Sequence, residues 1–436
     1  MKYYIQRFLF FALSLSLGQN VTICAFEVEG IYYNLKNNHA IVIGNGPDTY
    51  SGSIIIPSTV KYKSKTYEVQ EIYKSAFYNS KNLTSISLPA TIVDIGDNAF
   101  SGCAKLDSVT LNCVLNLELY KYFGTQVKNF ILGESWTKIR KGTFSNCKDL
   151  REISIPPSIS NIEENVFKDC STLSKVMISD LTAWCKISFE NELSNPLYWG
   201  HDLYKDNVIV KNLTIPSSIK RIESYTFCGS SIVNVKIPEE TNVINIGAFK
   251  NCKELIDVNM PDGLIFIGSK AFDGCNKLAI DIKIPEGQET IGVNTFAGCR
   301  SIKSVSIPNS VLFIKDNAFR DCSSIPSLSI PKNVCELTNA FEGCSGLTSI
   351  VVDNANPVFN SQNGCNAIIG TSTKELIIGC SNTIIPSGIT SIGDSAFCNS
   401  KQLITVTIPS GVNKIGNAAF YGCTGIEKVI SLNFRK

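Results

Sequence analysis

Histidine is scarce in this chain of 436 residues, which contains only His39 and His201, in unrelated parts of the sequence. The 17 cysteines include no C-x-x-C pair, and no G-x-S-x-G, H-E-x-x-H or phosphate-binding G-x-x-x-x-G-K-[ST] motif occurs. Catalytic and zinc sites usually need such groups at fixed spacings. We therefore expect no enzyme activity, no bound metal and no cofactor.

An excess of charge of either sign is also lacking. The 40 basic and 38 acidic residues are mixed along the chain and give a formal net charge of +2. Nucleic-acid-binding domains normally carry a basic patch or stripe, so we expect no nucleic acid partner. No apolar run long enough to span a bilayer follows the N-terminus, so we expect no transmembrane span in the mature chain.

Residues 1–25 have the pattern of a secretory signal peptide. Lys2 and Arg7 supply a positive start, residues 8–17 form an apolar stretch, and residues 22–25 form a plausible cleavage zone. The alternative is a membrane anchor, for which the apolar stretch is short. Residues 21–24 also faintly resemble a lipoprotein box ending at Cys24, although a larger residue than expected precedes the cysteine. We predict an exported chain with a mature N-terminus near Phe26.

A phrase repeated five times between residues 237 and 344 is the strongest positive signal. Each copy contains a Pro, an apolar-x-x-apolar run, and then Ala-Phe or Thr-Phe, two further residues and a Cys. In this stretch the phenylalanines recur every 22 to 24 residues, a period typical of stacked repeat proteins. Twelve such phenylalanines serve as predicted anchors of the core: Phe77, Phe100, Phe144, Phe167, Phe227, Phe249, Phe272, Phe296, Phe319, Phe341, Phe397 and Phe420.

Each copy also predicts two short strands and a tight corner. Val305 and Ile307 alternate with Ser306, which predicts a strand with one apolar face. Pro308 has no N–H for a sheet ladder and ends that strand. Ile-Gly pairs such as Ile267-Gly268 indicate a second strand that turns where glycine allows positive φ. We expect a partly helical corner at the Phe, and about fifteen coils that stack to bury a continuous core.

The repeated Ile-Pro, Ile-Gly, Ala-Phe-x-x-Cys and Leu-x-x-Ile-x-Ile phrases resemble the BspA-like branch of the leucine-rich repeat superfamily over about residues 72–430. The resemblance implies a mainly β repeat solenoid, a right-handed leucine-rich-repeat-type coil of ~23-residue repeats. No asparagine recurs after the strand, so a layer of Phe and Cys is expected where other leucine-rich repeats have an asparagine ladder. The resemblance also implies a surface protein, with adhesion to matrix proteins for some members.

The domain organisation follows from where the period holds. Residues 26–70 alternate apolar and polar residues between turn signals, which predicts a β-rich cap on the first coil. Residues 71–436 form the predicted solenoid. Three variant or inserted repeats interrupt it near residues 111–136, 177–207 and 351–383.

The repeated cysteines have two interpretations, disulfides or buried thiols. Disulfides suit an exported protein, but the regular run from Cys252 to Cys344 is odd in number. Serine occupies the equivalent position at Ser80, Ser230 and Ser400. A position that accepts either residue is typical of a small buried slot, so we favour mostly free thiols.

Two surfaces are candidates for binding a partner. The first is the outward row of the repeated strands, where short polar side chains would form a flat face; it contains Ser87, Thr110, Ser154, Thr214, Lys236, Asn259, Lys283, Ser306, Ser329 and Thr407. The second is the aromatic insertion, with Trp184, Tyr198, Trp199 and Tyr204. Tryptophan and tyrosine are enriched at binding hot spots, although these rings could equally fill the insertion's own core. The outward row could likewise be an ordinary solvated surface.

Two function classes remain. In the first, the chain is expected to be a cell-surface or secreted leucine-rich repeat protein that acts as a binding or adhesion module for an extracellular protein or glycan, such as a host matrix protein. The alternative is a non-catalytic structural component of the envelope without a specific ligand.

Overall fold

The protein is a mainly β solenoid with two parallel ladders of short strands and a turn-rich corner. A computed structural model describes residues 25–115 and 118–432. The predicted signal segment therefore lies outside the described residues apart from Ala25. Coils repeat about every 23 residues, as expected from the spacing of the phenylalanines.

The first ladder contains sixteen of the described strands, close to the predicted number of coils. Its members are Ser51–Ile55, Asn82–Leu88, Ser108–Leu111, Asn129–Leu132, Glu152–Ile155, Lys175–Ile178, Asp202–Lys205, Asn212–Thr214, Asn234–Lys236, Asp257–Val258, Asp281–Lys283, Ser304–Ser306, Ser327–Ile330, Ser349–Val352, Thr405–Ile408 and Lys428–Ser431. Inward and outward residues alternate, so that Leu328 and Ile330 are buried while Ser327 and Ser329 are exposed. This period of two places the apolar face of each strand on the core.

The second ladder is built from shorter strands. Its members are Lys65–Ile72, Asp94–Ile95, Lys138–Ile139, Asn161–Ile162, Ser188–Phe189, Arg221–Ile222, Val243–Ile244, Phe266–Ile267, Thr290–Ile291, Phe313–Ile314, Glu336–Leu337, Glu375–Gly379, Ser391–Ile392 and Lys414–Ile415. Successive members pair in parallel where they are contiguous, as Ile244 does with Ile267.

Glycine follows many of these strands for a different reason from the one predicted. The φ angles of Gly96, Gly268 and Gly416 are not in the left-handed region. A Cβ on Gly268 would instead lie 2.8 Å from the backbone nitrogen of Ile246, and one on Gly96 would lie 2.4 Å from the nitrogen of Lys74. The glycine is therefore needed because consecutive coils pack backbone against backbone at this point, and the positive-φ prediction was wrong.

The corners are successive turns rather than the partly helical segments predicted. In one corner the Ala318 N–H donates to the Lys315 carbonyl at 3.1 Å, and the Cys322 N–H donates to the Phe319 carbonyl at 3.2 Å. Asn317 and Asp321 have φ angles of 57° and 60°. Residues in the left-handed backbone conformation let the chain reverse direction within a few positions. Asn and Asp adopt this conformation more readily than most other residues.

Phenylalanine rings stack through the core, one ring per coil. From Phe227 to Phe341 the ring centroids of neighbours lie 5.1 to 5.6 Å apart with the planes within 12° of parallel. Eleven of the twelve anchor phenylalanines are buried, and Phe420 at the end of the stack is half-buried. No single coil can bury its own ring, so stacking neighbours is what creates the core.

The N-terminal strands pair with one another and with strands of the solenoid. Phe26–Val28, Ile31–Lys36 and His39–Ile43 form an antiparallel meander. Thr59–Tyr62 and Lys65–Ile72 form a hairpin, and the end of the latter pairs in parallel with the second ladder. Tyr50 contributes the first ring of the stack, 4.5 Å from Phe77.

The three irregular regions each depart from the coil in their own way. The first contains the helix Leu119–Phe123 in place of a turn-built corner. The second contains the helix Leu181–Trp184, the 3-10 helix Glu192–Ser194 and the short strand Val208–Ile209. The third contains the 3-10 helix Gln362–Gly364 and the strands Phe359–Asn360 and Ala367–Gly370. These two strands pair antiparallel with each other, and Ala367–Gly370 also pairs antiparallel with Glu375–Gly379.

Candidate functional site

The outward row of the first ladder joins the two predicted surfaces at one point. Ser87 pairs with Thr110, and the register continues through Ile131 and Ser154. The next partners along the row are Met177 and then Tyr204. Tyr204 of the aromatic insertion is therefore a member of the polar row rather than part of a separate surface.

The row is interrupted after Tyr204 and then resumes. A hairpin follows because Tyr204 pairs antiparallel with Ile209. The parallel register starts again where Thr214 pairs with Lys236, and Lys283 pairs with Ser306 further on. Ser306 and Ser329 are both exposed, as predicted for outward residues. The prediction of one unbroken face therefore holds only for stretches of the sheet.

Apolar side chains occupy this row where the repeat pattern predicts short polar ones. Ile131 is 36% exposed, and Ile55, which pairs with Ser87, is 72% exposed. Met177 and Tyr204 are half-buried. Consequently the first stretch of the row carries apolar contact area between the hydroxyl groups of Ser87, Thr110 and Ser154, which a purely polar solvated face would lack.

Charged residues flank the Tyr204 end of the row. Glu152, Lys175 and Asp202 are consecutive partners in the neighbouring outward row. The Lys175 Nζ lies 5.6 Å from the centre of the Tyr204 ring and 3.7 Å from the Glu152 carboxylate. A cation over an aromatic face is attracted to its quadrupole, so Lys175 holds the ring in place beside the sheet.

Trp184 is not part of any binding surface, and its assignment as a candidate contact residue was wrong. The side chain is 1% exposed, and its Nε1 donates to the Thr226 carbonyl at 3.2 Å. Asp180 caps the short helix that carries Trp184, accepting from the N–H groups of Thr182 and Ala183. This helix turns the indole into the core, where it packs 5.4 Å from the Phe189 ring.

Tyr198 and Trp199 lie over a corner, away from the sheet row. The Trp199 side chain is 55% exposed and meets the Tyr198 ring edge-on at 4.9 Å between centroids. A Cβ on Gly229 would lie 2.2 Å from the Tyr198 carbonyl oxygen, which shows how closely this segment packs on the Phe227 coil. The predicted aromatic group is therefore divided into a core residue, a corner pair and the sheet residue Tyr204.

A partly buried ion cluster fastens the insertion to the coils that follow. Lys250 forms an ion pair with Glu192 of the insertion and lies 3.9 Å from Asp273. Burial alone would lower the pKa of Lys250, but its hydrogen bond and ion pair with Glu192 raise it. Burial raises the pKa of Asp273, and Lys250 opposes that rise. Opposite charges that share a low-dielectric site must stay paired, so this cluster fixes the position of the Trp199 corner.

Each histidine is engaged in a local contact. His39 Nε2 lies 2.9 Å from the Glu71 carboxylate, and His201 Nδ1 lies 2.5 Å from the Pro196 carbonyl oxygen. Burial lowers the pKa of His201. These contacts hold the cap and the insertion, and no group of three or more His, Cys, Asp or Glu side chains suited to a metal was found among residues 25–115 and 118–432.

The repeated cysteines form a hydrogen-bonded ladder of their own. All sixteen cysteines in the described ranges are free thiols, which agrees with the interpretation favoured from the sequence. The Cys275 thiol donates to the Phe249 carbonyl of the preceding coil at 3.0 Å, and Cys299 donates to the Phe272 carbonyl at 3.1 Å. At the equivalent Ser230 the hydroxyl lies 3.3 Å from the Cys252 sulfur instead. The position therefore accepts either residue because both are small.

Cys335 is the exposed thiol among the described cysteines, so it should react first. We expect N-ethylmaleimide to modify Cys335 in the native protein well before the buried thiols, because reaction needs an accessible thiolate. Mass mapping of the modified peptides measures this, and the Cys335→Ser variant is the control. Unfolding without reductant should expose most other thiols. Eight disulfide bridges in the mass map would contradict the free-thiol arrangement.

The repeat pattern did not identify one phenylalanine that anchors the core. Phe123 is fully buried, 4.9 Å from the Phe100 ring and 6.2 Å from the Phe130 ring. It fills the worn coil at residues 111–136, where the Ala-Phe-x-x-Cys phrase is missing. Spacing alone could have identified it, because Phe123 lies 23 positions after Phe100.

The repeat pattern and the fold match those of a known family. The family model described as BspA type leucine rich repeat region (6 copies) matches residues 70–195, 200–280, 279–383 and 368–434. The chain belongs to the BspA-type leucine-rich repeat family. The comparison with curated proteins gave no match.

The matches among solved structures include proteins from several bacteria. A leucine-rich cell surface protein of Faecalibacterium prausnitzii is 22% identical, with 94% of this chain and 96% of that chain covered and a TM-score of 0.37. A leucine-rich repeat protein of Bacteroides ovatus is also 22% identical, with 94% and 90% covered and a TM-score of 0.38. The pneumococcal vaccine antigen PcpA is 16% identical, with 94% and 99% covered and a TM-score of 0.34.

Repeat proteins of this family are typically structural or binding proteins, so a functional site is expected on the extended surface. None of the helices in the described part of the chain has the length and apolar character of a membrane span.

Proposed function

We propose that this BspA-type repeat protein is exported and acts as a non-catalytic binding module, with the first-ladder face as its site. The partner is an extended extracellular protein or a glycan, and a host matrix protein is a member of that class. The observation that supports this most directly is the row from Ser87 to Tyr204. In this row the larger side chains of Ile131, Met177 and Tyr204 lie among short Ser and Thr side chains.

The row combines two properties that binding needs. Short side chains leave the sheet flat, so an extended partner meets little steric obstruction. The few large side chains supply apolar area, and interfaces derive most of their binding energy from a few such residues. Lys175 beside Tyr204 adds a cation and an aromatic ring, a combination that suits both peptides and polar ligands.

Export to the cell surface or the medium is supported by the N-terminal pattern. Residues 1–25 have the basic start and apolar stretch of a secretory signal. Membership of the BspA-type family fits such a location.

Screening of the mature chain against matrix proteins and a glycan array tests the proposal. We expect Tyr204→Ala combined with Trp199→Ala to weaken binding of the ligand found by at least about 2 kcal/mol, or roughly 30-fold. Ser306→Arg combined with Ser329→Arg tests the later part of the row by blocking it. Tyr421→Ala is the matched control, because Tyr421 is 70% exposed and belongs to the last Phe corner rather than to the row.

The single substitutions Tyr204→Ala and Trp199→Ala distinguish the two aromatic positions. The double variants distinguish binding from the alternative, a structural function without a ligand. Loss with Tyr204→Ala alone would locate binding on the sheet, whereas loss with Trp199→Ala alone would locate it on the corner. If no ligand is found, or both double variants bind like the parent, the sheet face is not a binding site. The chain would then fit a structural component of the envelope.

A further inference from the structure

Backbone hydrogen bonds at the corners form a third ladder along the solenoid. The Phe272 N–H donates to the Thr295 carbonyl of the next coil at 2.9 Å, and the Gly274 N–H donates to the Ala297 carbonyl at 2.7 Å. The same two bonds, from the anchor phenylalanine and from the residue two positions later, recur in seven coil pairs. Their donor phenylalanines are Phe77, Phe227, Phe249, Phe272, Phe296, Phe319 and Phe397.

This ladder is open after Phe341. Among the described residues, no carbonyl accepts from the backbone N–H groups of Phe341 and Gly343. The next anchor along the solenoid is Phe397, because residues 351–383 form an antiparallel hairpin instead of a corner. The Gly379 N–H donates to the Ala396 carbonyl at 2.8 Å and so partly bridges the interval between these two corners.

The facing wall, at the Phe397 corner, has one unused acceptor among the described residues. At a regular corner the carbonyls before and after the anchor phenylalanine receive the ladder bonds, as Ala419 and Tyr421 do from the Phe397 coil. At the Phe397 corner the Cys398 carbonyl accepts from no N–H group in residues 25–115 and 118–432. One wall of the interval thus presents donors and the other presents an acceptor.

A cavity of about 300 Å³ lies between these two walls. Phe341, Gly343, Ala396 and Cys398 all line it. Small-ligand sites begin at about this volume. Backbone groups in such a place need hydrogen-bond partners, and an extended peptide offers carbonyls and N–H groups along its edges, as in strand addition.

The side chains around the cavity are mostly acidic. Glu342, Glu375 and Asp394 line it, against the single basic residue Lys414. The Glu342 carboxylate accepts from the Ser395 hydroxyl at 3.4 Å and also has a hydrogen bond with the Cys398 thiol. Neither Glu342 nor Glu375 forms an ion pair with a residue in the described ranges. An occupant with a basic side chain would complement this charge.

We propose that the interval between the Phe341 and Phe397 corners is a docking slot for an extended peptide segment that carries Lys or Arg. The segment completes the corner ladder by accepting from the Phe341 and Gly343 N–H groups. Its basic side chain pairs with Glu342 or Glu375. This site is separate from the sheet row and does not depend on the function proposed for it.

Amide hydrogen exchange resolved to single residues tests the open ladder before any ligand is known. We expect the Phe341 and Gly343 amides to exchange at least 100-fold faster than those of Phe319 and Asp321. The latter two donate to the Ala340 and Glu342 carbonyls, each at 2.8 Å. Equal protection at both corners would show that the slot is closed and would overturn the proposal.

Peptide binding tests the occupant. The probe is a synthetic pool of capped hexapeptides that alternate lysine with β-branched residues, and the comparison pool has glutamate in place of lysine. We expect the lysine pool to bind at least ten-fold more tightly and to slow exchange at Phe341 and Gly343. Equal affinity of the two pools, no binding at millimolar peptide, or binding without that protection would each overturn the proposal.

Charge-reversal variants complete the experiment. Glu342→Lys combined with Glu375→Lys should abolish binding of the lysine pool. Glu239→Lys combined with Glu286→Lys is the matched control, because both glutamates are exposed and neither lines the slot. Tyr204→Ala should leave peptide binding unchanged, so failure of the slot and failure of the sheet row are distinguishable. Equal loss in the control variant would mean that the attraction is only a general effect of net charge.

Discussion

Replacing Phe319 with alanine should lower the free energy of unfolding by about 3–5 kcal/mol, the usual cost of removing a large core side chain. The ring is fully buried. It stacks 5.4 Å from Phe296 on one side and 5.1 Å from Phe341 on the other. The alanine variant therefore loses contacts in three consecutive coils and leaves a cavity that a stack held by neighbours on both sides cannot easily close. Chemical denaturation followed by circular dichroism measures the change.

Phe420→Ala is the matched control for this effect. Phe420 is half-buried, and its one stacked neighbour is Phe397, 5.0 Å away. Because each coil of a solenoid is stabilised mainly by its neighbours, the end of the stack should lose clearly less stability than its centre. Equal losses at Phe319 and Phe420, or a loss below about 1 kcal/mol at Phe319, would contradict this account of the core.

The parts of the fold that the sequence predicts are those that depend on local spacing. Ser327, Leu328, Ser329 and Ile330 alternate in polarity, and the strand they form alternates in burial. The 22- to 24-residue period similarly predicts the stacked phenylalanines. These features can be predicted because every coil packs against its neighbours in the same way, at a nearly constant sequence spacing.

The candidate site was less predictable because it depends on long-range contacts. Trp184 and Trp199 are both tryptophans in one insertion, yet one is 1% and the other 55% exposed. The difference arises because the Trp184 indole reaches the Thr226 carbonyl, 42 positions further along the chain. Nothing in the insertion's own sequence specifies that contact.

The pairing register of the strands could not be predicted from the sequence either. Tyr204 belongs to the outward row only because its strand pairs with that of Met177, across the whole inserted segment. The open corner ladder after Phe341 was hidden for the same reason. A break in the period at residues 351–383 predicts an irregular coil, but it does not show whether that coil closes the ladder.

The buried thiols predict a second large effect, a loss of stability at alkaline pH. Burial raises the pKa of Cys147 to about 12, with a further contribution from Cys170. Burial likewise raises the pKa of Cys170 to about 12 and that of Cys103 to about 11. In an unfolded chain a cysteine ionises near pH 8.5. Above that pH the unfolded chain releases protons that the folded chain keeps, so rising pH favours unfolding.

The stabilising contribution of each neutral thiol is therefore fully present below about pH 8.5 and is lost as pH rises toward the folded pKa. Linkage gives roughly 1 kcal/mol per buried thiol between pH 9 and 10. Since many coils carry such a thiol, we expect a combined loss of several kcal/mol across that single pH unit. Denaturation midpoints at pH 7, 9 and 10, measured with reductant present, would record it.

Cys147→Ser combined with Cys170→Ser isolates the thiols from lysines and tyrosines that ionise at similar pH. Serine does not titrate in this range, and the chain itself uses it at the equivalent positions Ser80 and Ser230. The variant should be less stable than the parent at pH 7, where the cysteine thiols pack well. Between pH 9 and 10, however, it should lose roughly 2 kcal/mol less than the parent. Parallel pH profiles for the two proteins would mean that the buried thiols do not control alkaline unfolding.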